Sequence, residues 1–307
     1  MSLPGDALTA LCQAADGRLL LVAPYIKVAA LKRLLNAAPP AVAVDVVTRW
    51  RPEEVAAGVS DLEVLDLVTE RAGGRVLLCP HLHAKYYRCG DKALAGSANL
   101  TGAALGWSAM SNLELLLRVD PQDETVRAFE DELLRTSEQA DRSIQTAVRE
   151  AAAAIKAITP PRTDWSDIAM TVFSPGFWLP TCPRPDMLIR VYDDSIGDLL
   201  LANALQHARN DIAFINPPLG LNASGFNAFV AAVLRQVRWV RELDRMTNQG
   251  LTDQNAIETI ERALPEHHDF SAEDLWTVTK EWLIHFFPND YERIPAGEIL
   301  RKRRAAL

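Results

Sequence analysis

The sequence predicts an α/β protein in which a mixed β-sheet is flanked by helices and followed by a mostly helical C-terminal region. In the first 120 residues, short apolar runs rich in β-branched side chains alternate with helical patterns, which is typical of a layered α/β fold. From Asp123 to Ile158 the pattern is almost wholly helical. We therefore expect three regions: an α/β domain over residues 1–120, a helical connector over 121–158 and a C-terminal domain over 159–307.

The elements of the N-terminal region follow one another at short intervals. Helical periodicity predicts helices over LTALCQAA, KVAALKRLLNAA and SDLEVLDLVTERAGG, the last closed by Gly73 and Gly74. Apolar, β-branched runs predict strands over RLLLVAPYI and AVAVDVVTRW, and then over GRVLLCP, KYYRC, KALAGS and NLELLLRV. Strands that alternate with helices and then follow one another directly indicate a mixed sheet.

Beyond residue 120 the helical patterns dominate. Residues 123–158 form either one long helix or a helical pair, which Pro160 and Pro161 end. Helices are also predicted over IGDLLLANALQHARN, SGFNAFVAAVLRQVRWVRELDRM and AEDLWTVTKEWLIHFF, with a strand over DIAFINP. Ser271 and Asp274 resemble a capping box at the start of the last of these helices.

Composition and charge argue against several functional classes for this chain. The formal net charge of −8 argues against a protein that coats nucleic acid through a global positive field, but it permits a local basic groove. The sequence has neither the long apolar run of a membrane helix nor the basic start of a secretory signal, so we expect a cytoplasmic protein without membrane contact. The four cysteines lack CxxC spacing and are expected to be buried thiols.

The polar residues of one stretch, HLHAKYYRCGDKALAGSANLTG, carry the strongest functional signal. Side chains two apart on a strand share a face, so His83 and Lys85 project together, and Ser97 and Asn99 have the same spacing. Gly96 permits close approach of another backbone. Four polar groups between apolar flanks are unfavourable unless they meet partners or a substrate.

This stretch, continued by Asn112 and Glu114, resembles the nuclease-like members of the phospholipase D superfamily. The resemblance rests on the HAK and GSANLT motifs and covers residues 1–120, including the strand ends APYI and VTRW. It implies that His83 is a nucleophile that forms a phosphohistidine, that Lys85, Ser97 and Asn99 bind the phosphoryl oxygens, and that Glu114 orients the imidazole.

The implied roles agree with the chemistry of these groups. Neutral imidazole is nucleophilic at physiological pH, and ammonium and amide donors stabilise charge on phosphorus without a metal ion. We therefore expect neither a metal nor a cofactor. One departure concerns the Asp that the family has five residues after the lysine: Gly90 stands there, and we take Asp91 as the displaced equivalent with a structural role.

Other charged residues are weaker candidates. Arg49 and Arg51 flank Trp50 at a strand end, where they either contact a phosphate backbone or lie on a charged surface. We expect His81 to be a solvated or packing residue rather than a second catalytic group. We expect the basic tail from Arg301 to Arg304 to be a solvated segment rather than a contact with nucleic acid. The histidines His267, His268 and His285 have no companions at metal-ligand spacing.

The reaction that the resemblance implies needs two histidines, whereas the sequence has one HxK motif. A degenerate second copy around His207 is one explanation, but its helical pattern and the Arg in place of Lys argue against it. A homodimer that brings two copies of His83 together is the simpler solution.

The function that we expect is therefore a homodimeric, metal-independent endonuclease acting on nucleic acid, with DNA favoured over RNA. Members of the resembled family often belong to bacterial restriction or phage-defence systems, and by this analogy a helicase or ATPase partner is an expectation for the chain. Two alternatives remain open. One is a phospholipid-cleaving enzyme with the same site, which needs an apolar entrance. The other is a non-catalytic subunit that only grips phosphate.

Overall fold

The computed structural model of the chain describes residues 3–158, 178–193, 195, 202–247, 250–264, 271–292 and 298–302. The chain divides into two compact units, Met1–Ala152 and Ala153–Leu307. The HAK and GSANLT motifs both lie in the first unit.

Over residues 3–152, the first unit is built on a seven-stranded mixed sheet with the strand order β6-β5-β4-β1-β2-β3-β7. The strands are β1 (Leu19–Val22), β2 (Val44–Thr48), β3 (Arg75–Leu78), β4 (Lys85–Cys89), β5 (Lys92–Gly96), β6 (Leu116–Val119) and β7 (Glu138–Gln139). Strands β1, β2 and β3 pair in parallel, and every other pair is antiparallel. The α/β fold with a mixed sheet is confirmed, and the six strands predicted within residues 1–120 are present.

Helices flank this sheet. They are α1 (Pro4–Gln13), α2 (Val28–Ala37), α3 (Pro52–Ala56), α4 (Val64–Thr69), α5 (Glu124–Thr136) and α6 (Arg142–Ile158). The segment 123–158 is thus a helical pair rather than one helix. Strand β7, which lies between α5 and α6, pairs with β3, so the predicted connector supplies part of the sheet.

One face of the sheet packs against α5. Leu133 joins a buried cluster with the inward-facing side chains of five strands and the loop before β4, with Val126 and Phe129 beside it. Tyr86 and Phe129 meet edge to face, with ring centroids 5.7 Å apart. Removal of this apolar surface from water holds α5 on the sheet.

The second unit is mostly helical, as predicted. Its helices are α7 (Leu188–Tyr192), α8 (Ala202–Ile215), α9 (Ala223–Leu234), α10 (Arg238–Met246), α11 (Asp253–Ala263) and α12 (Ala272–Phe286). A small sheet joins β8 (Leu251–Thr252), β9 (Tyr291–Glu292) and β10 (Glu298–Lys302) in the order β8-β10-β9. The hydroxyl of Ser271 accepts from the backbone N–H of Asp274, which confirms the predicted cap of α12.

The strand predicted over DIAFINP is wrong, because α8 continues through these residues to Ile215. Asn216 ends the helix in a left-handed conformation with a φ of 50°, its N–H donating to the carbonyl of Ile212 at 2.7 Å. Asn is one of the residues that tolerate this conformation at a helix end, and Pro217 cannot continue the helix. The short apolar run is therefore the last turn of a helix that started well before it.

Topology gathers the polar stretch at one end of the sheet, called the site end here. Parallel β1 and β2 both finish there, and antiparallel β4 begins there, with Tyr86 opposite Val22. Strand β5 ends and β6 begins at the same place, because Gly96 lies opposite both Lys85 and Leu116. Residues that are far apart in sequence therefore meet at this end.

Candidate active site

His83 and Lys85 lie where the chain enters β4 at the site end. His83 is exposed and Lys85 is half-buried, and the ammonium of Lys85 donates to the backbone carbonyl of His83 at 2.8 Å. The charge of Lys85, followed by burial and the charge of Arg49, lowers the pKa of His83 below its ordinary 6.5. The imidazole is therefore neutral at physiological pH, which is the state that a nucleophile needs.

The surroundings of Lys85 change the pKa of its ammonium group. Burial and the nearby Arg49 lower the pKa of its ammonium, while Glu114 opposes this effect. An ammonium that is partly removed from water interacts more strongly with an anion than one in bulk solvent does. Lys85 is thus placed to bind a negatively charged group beside His83.

Ser97 follows β5 directly and is held by the chain that leads into β6. Its hydroxyl donates to a carboxylate oxygen of Glu114 and accepts from the backbone N–H of Leu115 at 3.0 Å. Its own N–H donates to the carbonyl of Leu115 at 2.9 Å. The other carboxylate oxygen of Glu114 accepts from the Asn112 amide at 3.1 Å. Glu114 therefore orients Ser97, and its predicted contact with the imidazole stays a prediction.

Gly96 is required by the same strand pair. A Cβ atom at this position would lie 1.9 Å from the carbonyl oxygen of Leu115. The close backbone approach that the sequence suggested is therefore that of β6, which brings Glu114 within reach of Ser97.

Asn99 lies on a loop that is fastened to the end of β1. Leu100 forms a parallel β-bridge with Ile26. Its backbone N–H donates to the carbonyl of Tyr25 at 3.2 Å, and its carbonyl accepts from the backbone N–H of Lys27 at 2.9 Å. The side-chain oxygen of Asn99 accepts from the N–H of Tyr25 at 3.4 Å. Because the side-chain oxygen of Asn99 points at Tyr25, the amide nitrogen of Asn99 points away from Tyr25, where it is able to donate a hydrogen bond to another group.

A second contact ties this loop to β4. Tyr87, which shares a strand face with Lys85, donates its hydroxyl to the carbonyl of Ala98 at 2.6 Å. The loop that carries Ser97 and Asn99 is thus held beside the strand that carries His83 and Lys85. The four predicted residues are brought to one end of the sheet, with an exposed imidazole beside ammonium, hydroxyl and amide groups.

Arg49 is buried and cannot form the predicted surface for a phosphate backbone, whereas a phosphate contact of Arg51 stays a prediction. Arg49 is only 2% exposed, and its guanidinium contacts Glu54, Tyr25 and the carbonyl of Leu82. Arg51 is half-buried and donates to the carbonyl of Pro80 at 3.2 Å. Both arginines hold the segment that leads into His83.

Asp91 lies apart from the site end. It is exposed in the turn between β4 and β5, and the length of β4 separates it from Lys85 by about 13 Å at about 3.4 Å per residue. Gly90, at the position where the family has its Asp, adopts a φ of 58° in this turn. Glycine adopts this conformation without strain, which accounts for its presence there.

The other histidines have separate surroundings. His81 contacts the thiol of buried Cys79, with its ring nitrogens 3.8 and 4.0 Å from the sulfur. His207 lies on α8, where residues two apart point to different faces, so His207 and Arg209 do not form a strand motif. His285 packs edge to face on Phe286. His267 and His268 lie outside the described residues.

Two residues at the site end were missed by sequence reasoning. Tyr25 follows β1 and contacts Asn99 through its backbone and Arg49 through its hydroxyl. Glu54 lies in the first turn of the short helix α3, and it is 2% exposed. The only signal for Glu54 in the sequence is an acid that follows Arg49 by five residues, on a helix begun by Pro52.

The described part of the chain contains no group of three or more His, Cys, Asp or Glu side chains that could hold a metal ion. None of the helices in that part combines the length and apolar character that are needed to cross a bilayer.

Comparisons with known proteins are sparse. No protein-family model matches the chain, and no curated protein matches it. Among solved structures, the chain is similar to NucT from Helicobacter pylori, with 15% sequence identity and a TM-score of 0.36, over 44% of this chain and 89% of that chain. The function must therefore be argued from the geometry and chemistry of the site end.

Proposed function

We propose that the chain is a metal-independent phosphodiesterase of the phospholipase D type that cleaves nucleic acid, with His83 as the nucleophile. One observation carries the proposal: an exposed His83 with a lowered pKa lies beside Lys85, next to the fastened loop of Ser97 and Asn99. A phosphodiester offers an electrophilic phosphorus and anionic oxygens, which suit a neutral nucleophile surrounded by donors.

The reaction runs in two steps. A ring nitrogen of His83 attacks phosphorus, a P–N bond forms, and the P–O bond to the leaving alcohol breaks as that oxygen takes a proton. Water then attacks the phosphohistidine and gives its proton to the group that protonated the leaving oxygen, the P–N bond breaks, and a phosphate monoester and free His83 result. Lys85 and Asn99 donate to the non-bridging oxygens, whose charge grows in both transition states.

The first step requires a proton donor other than His83, because attack uses the lone pair of its ring nitrogen. A second imidazole from another copy of the chain would supply it, and the proposal therefore includes a homodimer with a two-fold axis at the site end. Strand β6, which lies at the edge of the sheet, supports this assembly. Met110, Leu113, Leu115 and Leu117 on and before β6 are between 54% and 94% exposed. An apolar edge of this kind is a surface that a second chain can cover.

The same apolar residues support a second candidate, a phospholipid-cleaving enzyme. Leu113 and Leu115 flank Glu114, so an acyl chain would meet them close to Ser97. The two candidates share the mechanism and differ in the substrate and in what covers the leucines. A non-catalytic subunit that only grips phosphate is the third alternative.

A trapping experiment tests the proposal. Oligonucleotides of DNA and RNA that carry ³²P at the scissile phosphodiester are mixed with excess protein in EDTA, and the reaction is quenched in base. We expect label on the wild-type protein, stable to base and lost in acid, and no label on His83→Ala. His207→Ala is the matched control and should label like the wild type.

Phosphatidylcholine vesicles in the same assay separate the candidates. Cleavage of vesicles without cleavage of oligonucleotides would favour the phospholipid-cleaving enzyme. Cleavage that depends on Mg²⁺ and leaves no label on His83 would overturn the phosphohistidine mechanism. Binding of oligonucleotide without any cleavage would favour the non-catalytic subunit.

A further inference from the structure

A buried ion pair lies directly behind the proposed active site. The side chains of Arg49, at the end of β2, and Glu54, on α3, are each only 3% exposed. The Nε of Arg49 donates to one carboxylate oxygen of Glu54 at 3.1 Å, and a terminal nitrogen donates to the other. The pair is therefore bidentate, which fixes the plane and direction of the guanidinium.

The remaining donors of Arg49 reach toward both halves of the site. One terminal nitrogen donates to the carbonyl of Leu82 at 2.8 Å, in the peptide that joins Leu82 to His83. The other donates to the hydroxyl of Tyr25 at 3.1 Å. Through its backbone N–H, Tyr25 holds the side-chain oxygen of Asn99 at 3.4 Å. The nucleophile and the amide donor are thus tied to one guanidinium.

We propose that the Arg49–Glu54 pair is the positioning device of the site. The pair fixes the His83 peptide through Leu82 and the Asn99 side chain through Tyr25, and so sets the distance between the nucleophile and the amide that donates to the phosphoryl oxygens. This inference rests on the proposed function. Arg49 and Glu54 are positioning residues, since neither is exposed enough to touch a substrate.

Stability alone is a weak explanation for this arrangement. Burial of two charges requires their removal from water, and a buried ion pair is often no more stabilising than apolar side chains of similar size. A planar fork that directs five N–H groups at fixed angles does what apolar side chains cannot do. It holds two backbone segments and an aromatic hydroxyl at defined distances.

The pair also acts on the site through its charge. Lys85 and Arg49 are the charged groups that lower the pKa of His83, and Glu114 acts on Lys85 in the opposite sense. Burial raises the pKa of Glu54, although Arg49 and Arg51 oppose this. Loss of Arg49 therefore moves the titration of His83 upward, whereas Arg49→Lys keeps the charge and loses the fork.

Kinetics of Arg49→Lys provide the first test. Because the lysine cannot hold Glu54, Leu82 and Tyr25 together, we expect kcat to fall by about 10–100-fold, as for displacements on the order of 1 Å, with KM near the wild-type value. Arg71→Lys is the matched control, because the Arg71 guanidinium also donates to backbone carbonyls. Its acceptors, Leu35, Pro39 and Val42, lie in the segment before β2 and not in the segments that carry His83 and Asn99. A folded Arg49→Lys with wild-type kcat would overturn the proposal.

Nuclear magnetic resonance provides a test that does not depend on catalysis. In Arg49→Lys the His83 ring signal and the Asn99 side-chain amide signal should both move, and Arg71→Lys should move neither. In the double variant Arg49→Met/Glu54→Gln, which removes both charges of this pair, the His83 titration should shift to higher pH. Signals that stay in place would overturn the positioning role. A wild-type protein that cleaves no phosphodiester would overturn the proposed function, while the signals still decide the positioning role.

Discussion

The substitution Gly96→Ala tests whether the contact between β5 and β6 determines catalysis. The added Cβ would lie 1.9 Å from the Leu115 carbonyl oxygen, 2.9 Å from its carbon and 3.0 Å from the Cα of Leu116. An ordinary contact between carbon and oxygen is about 3.3 Å, so β6 must move away by more than about 1 Å. That movement separates Ser97 from Glu114 and Leu115, which hold it.

Two magnitudes follow from this movement. Overpacking costs about 1–3 kcal/mol of the free energy of unfolding, which lowers the Tm by about 2–12 °C for a unit of this size. Misplacement of a catalytic group by about 1 Å lowers kcat by about 10²-fold. The loss of activity should therefore be seen well below the Tm, where the variant remains folded.

The assay is cleavage of a labelled oligonucleotide at a temperature where circular dichroism shows folded protein. Gly17→Ala is the matched control, because a Cβ at Gly17 meets nothing within 4 Å, and both its kcat and its Tm should stay at the wild-type values. A Gly96→Ala variant with lowered Tm and wild-type kcat would refute the reasoning, since Ser97 would then be displaced without effect on the reaction.

Three further predictions concern the same site. Lys85→Ala and Asn99→Ala should each lose about 10²–10³ in kcat, as expected for loss of a donor to the developing charge, with normal circular dichroism spectra; wild-type rates in both would contradict the assignment. The pKa of His83 is lowered, so the acid limb of the pH profile of kcat/KM should have its midpoint below 6.5, where the lone pair of the attacking imidazole is protonated. A pH profile checks this, and a midpoint above 6.5 would contradict it. Light scattering should report about twice 33.9 kDa, and Leu115→Glu should give an inactive monomer, whereas a fully active monomer would exclude the shared site.

Much of the first unit could be predicted from local sequence patterns. Periodicity of apolar side chains depends on the geometry of a single helix or strand, so it identified the six strands between residues 19 and 119 and the helices α2 and α4 between them, but not the short helix α3. The spacing in HAK and GSAN likewise indicated which side chains share a strand face. The proximity of the two motifs in space depends on the strand topology, because the pairing of β4 with β5 places Gly96 opposite Lys85.

Only the tertiary structure separated residues that look equivalent in sequence. Arg49 and Arg51 both flank Trp50, yet the guanidinium of Arg49 is enclosed, since the first turn of α3 brings Glu54 against it. The carboxylate of Glu114 holds Ser97, a contact that the spacing of the motifs did not indicate, because the Cβ-free Gly96 lets the chain before β6 approach.

The run NLELLLRV shows that the burial of a side chain is also not determined by the sequence pattern alone. Its leucines predicted a strand, and β6 is that strand, but Leu113, Leu115 and Leu117 are exposed. Side-chain hydrophobicity is a property of the residue, whereas burial depends on what lies beside the strand. Strand β6 has a neighbour on one side only, because β5 is its partner and the sheet ends there. The sequence by itself determined that these residues form an apolar strand, and only the tertiary structure decided that Leu113, Leu115 and Leu117 are exposed while Leu116 is partly buried.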